Sequence, residues 1–421
     1  MADVRPLRTL RYEPGAAGPL EDVIAPPYDV IDDELRAELL ARSAFNVVEI
    51  DLPRTDAGDP YEHAAATMAD WSERRVLVRE DEPAVWALRQ DYTAPDGRGM
   101  TRDGFLARVR VEDYGPGRIR PHERTHPGPK EDRLRLTRAT RTNLSPIFSL
   151  FTDPDGAAGA ALQAAAAGEP FAVATDHEGT RNTLWRVAEP GAVASLSDSL
   201  AGSELLIADG HHRYETARVY GEEIGGEGEH RYVLMLLCSL SDPGLTVFPT
   251  HRLLTGLKDD RAKQEAIRET LMRDFHVEEL AAPAELEPSG ESAVAFGYMD
   301  SFHRKPYRVT LKDQAIADRA LAGMPEPYRR LDTAVLEALV LRGALGMSED
   351  DISHLQGLDY SKSLADAIEA VETARADAGF FMRATPVEQV REVAEAGESM
   401  PPKSTYFVPK VPTGLVFSPL N

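Results

Sequence analysis

Apolar and polar positions along this chain follow two rhythms. Apolar runs at 84–92 and 101–112 predict two strands joined by a hairpin turn at Pro95, Asp96 and Gly97, and a run at 46–52 predicts a further strand. A short strand is expected near 8–12, then a turn through Pro26 and Pro27, then a helix over about 32–42 that Asp32 and Asp33 would cap. Another helix is expected at about 61–74 and a surface helix at 157–168. Strands and helices mix without strict βαβ alternation, which favours an α+β fold.

The segment 204–208 reads as a short buried strand and 211–223 as a helix with Tyr214, Ala217 and Val219 inward. Asp209 and Gly210 alone separate them, and the apolar run 232–239 follows. From about 261, longer helices (261–273, 331–345 and 364–376) alternate with strand candidates at 292–299, 307–311 and 378–383. The expected division is therefore 1–258, a mixed core with inserted strands and a basic loop, and 259–421, an α/β region. The segment 401–417 is apolar and aromatic, so it is expected to pack back onto the body.

Composition narrows the class. The chain has 421 residues, enough for two or three domains. No apolar run reaches the roughly 18 residues of a membrane span, so the expected location is the cytoplasm. Cys238 is the sole cysteine, so neither a disulfide within the chain nor a cysteine metal cluster can form. With 47 basic against 70 acidic residues the formal charge is −23, which makes nucleic acid an unfavoured partner.

Against that acidic background, two places gather positive groups. At the first, a strand ends in Asp209 and Gly210 and a helix opens with His211, His212 and Arg213. The first N–H groups of a helix lack intrahelical acceptors and sit at the positive end of its dipole, so they favour an anion. Arg213 adds a permanent charge suited to phosphate. Asp209 would then cap the helix, hold a magnesium ion or accept a proton. Neighbouring histidines point apart, so His211 and His212 do not share a zinc ion as an i,i+4 pair could. At the second place, His122, Arg124, Lys130 and Arg133 lie in a turn-rich segment, 121–133, that reads as a loop feeding a helix at 134–141 and suits closure over phosphates. A third candidate is Asp29, presented beside Tyr28 by the two prolines and placed to act as a general base. Rossmann, P-loop and serine-hydrolase strings are absent from the sequence.

The strings APPYDVI (25–31), PHERTHPGPKEDRLRLTRATRTNLSPIF (121–148), ADGHHRYETA (208–217) and MPPKSTYFVPKVPTGLVF (400–417) resemble the hallmark segments of the domain of unknown function 1015 family. The turn Asp209-Gly210-His211-His212-Arg213 is also similar to the phosphate turn of the ParB/sulfiredoxin superfamily, in the Asp-Gly-His-x-Arg version of its free serine kinases. The resemblance implies a ParB/sulfiredoxin-like mixed core with large insertions. It implies that Gly210 to Arg213 hold the phosphates of ATP or ADP, that Asp209 assists with magnesium or a proton, and that Asp29 is the counterpart of an acidic base in the N-terminal loop. The turn carries histidine where sulfiredoxin chemistry needs cysteine, which argues against sulfinic-acid reduction.

The expectation is a nucleotide-dependent phosphotransferase acting on a small hydroxylated metabolite such as free serine. Two alternatives stand beside it. One is a ParB-like nucleotide-dependent DNA-binding or regulatory protein, supported by a helix–turn–helix-like pair at 331–345 and 349–355. The other is a non-catalytic nucleotide or metabolite binder, or a hydrolase using the same turn.

Overall fold

The computed structural model describes every residue except Met1, Asp96, Arg124, Thr125, His126, Ala201, Glu291 and Ser292, with the backbone alone at 127–129. The fold is mixed α+β. The chain folds as two compact units, one of residues 1–121, 125–246 and 409–421 and another of 122–124 and 247–408. The division falls at 246/247, and residues 409–421 return to the first unit.

The first unit is built on a nine-stranded sheet. Its strands are β1 (Val4–Arg5), β2 (Val85–Thr93), β3 (Gly99–Arg110), β4 (Ile119–Arg120), β5 (Ile147–Phe151), β6 (Ala172–Thr175), β7 (Arg181–Val187), β8 (Leu205–Asp209) and β9 (Tyr232–Ser239). They lie in the order β4-β8-β5-β9-β3-β2-β7-β6, with β1 paired to β3. β8 runs parallel to β4 and antiparallel to β5, and β9 runs parallel to β5 and antiparallel to β3. The continuous apolar run of β9 is buried from Tyr232 to Cys238, as a strand covered on both faces requires. The Cys238 thiol lies fully buried there, and burial raises its pKa. β2 and β3 form the expected hairpin, although Asp96 of its turn lies outside the described residues.

Two expectations are revised. Residues 46–52 do not form a strand but contain a helical turn, Val48–Asp51. Asn46 Oδ1 accepts from Val48 N at 3.0 Å, and Asn46 Nδ2 donates to the carbonyls of Asp22 and Ile24, which ties the entry of the turn to the 22–24 backbone. Val47, Val48 and Ile50 are fully buried, and such an apolar run suits a buried helix as well as a strand. The helix expected at 134 begins earlier and spans Pro127–Thr140, because proline is well tolerated in a first turn where no N–H partner is lost. Most of the basic segment is therefore helical rather than loop.

In the second unit six antiparallel strands carry the core. They are β10 (His251–Leu254), β11 (Phe275–Glu279), β12 (Ala295–Asp300), β13 (Tyr307–Leu311), β14 (Leu358–Ser361) and β15 (Ala378–Phe381), in the order β11-β13-β12-β15-β10-β14. β12 starts at Ala295 rather than Ser292, which lies outside the described residues. The Asp332–Leu336 helix continues into a π-helical segment, Glu337–Ala344, and the short Glu349–Ser353 helix follows. The first turn of that short helix is Glu349, Asp350 and Asp351, a poor face for a phosphate backbone.

Candidate functional site

The site starts from the end of β8. The register of β8 against β5 shifts between Ile207 and Asp209, a bulge of the kind that re-aims a side chain where pairing ends. Gly210 follows with φ +96°, a left-handed conformation that a side chain would strain. It is also a close approach, since a Cβ there would lie 3.0 Å from Arg213 Nε and 3.1 Å from its Cζ. The His211–Ile224 helix begins at once, with Gly210 as N-cap and no side-chain cap. Tyr214 anchors it, fully buried, its hydroxyl donating to the Glu112 carbonyl at 2.8 Å and accepting from Glu112 N at 2.9 Å.

Two cations converge on the turn's carboxylate. Arg213 Nη2 donates to Asp209 Oδ2 at 2.8 Å, and Lys410 Nζ donates to Asp209 Oδ1 at 2.8 Å. Arg213 Nη1 also donates to the Pro146 carbonyl. Burial by itself would raise the Asp209 pKa, but Lys410 and then Arg213, with a contribution from His211, hold it well below the usual carboxylate range. Asp209 therefore stays ionised and is a weak base at neutral pH. Its electrostatic effect is to hold two cations beside a helix start whose N-cap is a glycine.

A second cluster adjoins Arg213. Tyr28, Asp51, Arg133, Ser145, Arg213 and Thr216 line a cavity of about 40 Å³, room for little more than a water molecule. Arg133 is 5% exposed, with Nη1 bonded to the Asp51 carbonyl at 2.6 Å and to Asp51 Oδ1 at 3.2 Å, and Nε bonded to Asp132 Oδ2 at 2.7 Å. Its guanidinium lies 4.2 Å over the Tyr28 ring. Ser145 Oγ links Asp51 Oδ2, at 3.2 Å, to the Thr413 hydroxyl, at 2.7 Å. Burial raises the Asp51 pKa in spite of Arg133 and Arg213, and burial pushes the Tyr28 phenol up to about 12.

A metal needs more than this. Among the described residues no group of three or more His, Cys, Asp or Glu side chains is placed to hold an ion, and both Asp209 oxygens already face cations. Asp209 thus does not fit the expected role of magnesium ligand, for which an oxygen-rich shell is required.

Comparison with known proteins identifies the chain. The family described as Protein of unknown function (DUF1015) matches residues 4–334. The chain belongs to this family. No curated protein matches. Among solved structures, a conserved hypothetical protein from Pyrococcus furiosus is similar at 16% identity and TM-score 0.37, over 74% of this chain and 95% of that one. A free serine kinase in complex with AMP is similar at 16% identity and TM-score 0.38, over 74% and 92%. SbnI with a C-terminal truncation, from Staphylococcus aureus, is similar at 12% identity and TM-score 0.37, over 73% and 85%.

In this DUF1015 chain the sequence candidates separate. Asp209, Gly210, His211 and Arg213 stand together at the turn, with His211 buried and His212 half-buried beside them. Arg133 reaches the cavity that Arg213 also lines. Lys130, half-buried on the Pro127–Thr140 helix, places Nζ 3.6 Å from Glu215 Oε2. Asp29 is exposed on the 3-10 turn Tyr28–Val30, and it is Tyr28 that enters the cavity. His122 belongs to the second unit, where it is fully buried, with Nε2 2.9 Å from Thr405 Oγ1 and its ring edge-on to Phe407. It is therefore not an exposed donor for phosphate. Arg124 lies outside the described residues. Sequence reasoning missed Lys410 and Asp51. A lysine between two prolines in an otherwise apolar segment was the available signal for Lys410. For Asp51 the signal was a carboxylate closing an apolar run.

Proposed function

We propose that the first unit is a nucleotide-dependent phosphotransferase. It binds the phosphates of a nucleoside di- or triphosphate, ATP or ADP, at the start of the His211–Ile224 helix and passes a phosphoryl group to a small hydroxylated metabolite such as free serine. The observation that carries this reading is the convergence of Arg213 and Lys410 on Asp209 beside a left-handed glycine that is the N-cap of a helix. Phosphoryl transfer asks little covalent chemistry of the protein and much positioning and charge neutralisation, which such an arrangement supplies. The cavity under Tyr28 is too small for a nucleotide, so the ligand would lie outside it, against the turn.

In this reading the Gly210 to Arg213 backbone and the Arg213 guanidinium contact phosphate, with His211 and His212 as neighbouring donors, and Asp209 orients the two cations. Asp51 and Arg133 brace the wall behind Arg213. Asp29, exposed and next in sequence to Tyr28, takes the proton of the acceptor hydroxyl. The test is to incubate the protein with L-serine, magnesium and either ATP or ADP, and to follow phosphoserine by mass spectrometry. Phosphoserine that depends on nucleotide is expected. Its absence with both nucleotides, together with an unchanged melting temperature on nucleotide addition, would overturn the reading.

A further inference from the structure

From Pro409 onward the C-terminal segment is built into the first unit. Pro409 and Pro412 restrict the backbone around Lys410. Thr413 exchanges backbone hydrogen bonds with Ala25 at 2.8 and 3.1 Å, and Phe417, fully buried, exchanges them with Leu10. Lys410 is therefore part of a fixed strap and not of a loose tail.

The strap is gripped from inside the sheet. Arg102 on β3 is 1% exposed, its guanidinium lies 4.4 Å over the Phe148 ring, and its Nη2 donates to the Pro409 carbonyl at 2.7 Å. Gln90 on β2, also 1% exposed, accepts from Arg102 and donates Nε2 to the Lys410 carbonyl at 3.2 Å and to Asn182 Oδ1 at 2.8 Å. Burying a guanidinium and an amide is costly, and apolar side chains of similar volume often stabilise a core as well or better. This network fixes two consecutive carbonyls of the strap. That fixes the stem of Lys410, whose Nζ stands 2.8 Å from Asp209 Oδ1 at the helix start.

We infer that Lys410 is a phosphate-binding residue of the turn, delivered by the C-terminal strap, and that its ligand is the polyphosphate of a nucleoside di- or triphosphate. Gln90 and Arg102 are positioning residues that act through it. The inference rests on the nucleotide reading of the turn given above. Because Arg213 and Lys410 approach the two oxygens of one carboxylate, an anion arriving at the helix start meets both charges, a planar fork from one and a point charge from the other.

The test is calorimetric titration of the full chain with ADP and, separately, with adenosine, which lacks phosphate. Lys410→Ala is expected to weaken ADP binding by about tenfold to a hundredfold, the usual loss of a hydrogen bond to a charged group, and to leave adenosine binding unchanged. Lys410→Met, which keeps the bulk of the stem, should show the same loss and guards against a folding defect. Gln90→Leu should weaken ADP binding by less, again without an effect on adenosine. Unchanged ADP affinity in both Lys410 variants would overturn the inference, as would equal weakening of ADP and adenosine. Failure of the unaltered protein to bind ADP would instead contradict the nucleotide reading itself, before any variant is compared.

Discussion

Asp209 and Asp51 are the same residue type in the same unit, each in the field of Arg213, yet their carboxyls shift in opposite directions. Asp209 meets a cation at 2.8 Å on each oxygen, and the two together overcome burial. Asp51 meets one guanidinium nitrogen at 3.2 Å and a serine hydroxyl, and burial prevails. The charges of two cations, one held against each oxygen, decide which carboxylate keeps its charge easily. Asp209 is thus suited to hold cations in place, whereas Asp51 is a buried brace whose main partner, Arg133, is as buried as itself.

Breaking the brace should have the largest effect. Asp51→Ala removes the partner of a guanidinium that is 5% exposed and should cost about 3 kcal/mol of stability in a denaturant titration, since Asp132 remains to pair with it. A loss below about 1 kcal/mol would mean that the pair is not buried as described. Asp29→Asn probes the third carboxylate, which shares neither environment. Phosphoserine formation should fall by on the order of a hundredfold, with melting temperature and ADP affinity unchanged. A parallel fall in ADP affinity would place Asp29 in nucleotide binding instead.

Gly210→Ala sharpens the Asp209 side of the comparison. The left-handed backbone should cost about 1 to 2 kcal/mol, and displacement of Arg213 by the new Cβ should weaken ADP binding as well. The smallest effects are in pH dependence, where the two aspartates should give slopes of opposite sign. The folded-state pKa of Asp209 is depressed, so its contribution is present above the ordinary value of 3.8 and is lost as pH falls from there. Asp51 is raised, so its contribution is present below 3.8 and is lost as pH climbs through its higher folded value. Asp209→Asn should therefore flatten the acid side of a stability–pH curve and Asp51→Asn the rising-pH side. Equal effects on one side would contradict the assignment.

The sequence made the turn legible and left its partners hidden. The β8 run, Gly210 and the helix that follows are local patterns, and the period of apolar residues and the glycine mark all three. Arg213 follows from the same few residues. Lys410 lies 201 positions from Asp209, and no periodicity links them. Asp51 was hidden because apolar residues in a buried helical turn look like a strand. The basic segment misled in the other direction. Its charge density suggested a loop for phosphates, but Arg133 is paired with Asp51 inside the fold, and on the same helix Arg135 and Arg138 pair with Asp59 and Glu223 at the surface.

The most direct measurement is a crystal structure of the protein with ADP. The account predicts phosphate oxygens within hydrogen-bond distance of the backbone N–H groups at 211–213 and of the Arg213 guanidinium, with Lys410 Nζ turned from Asp209 toward the phosphate. ADP bound elsewhere, or at the turn with its phosphates facing away from Arg213, would contradict it.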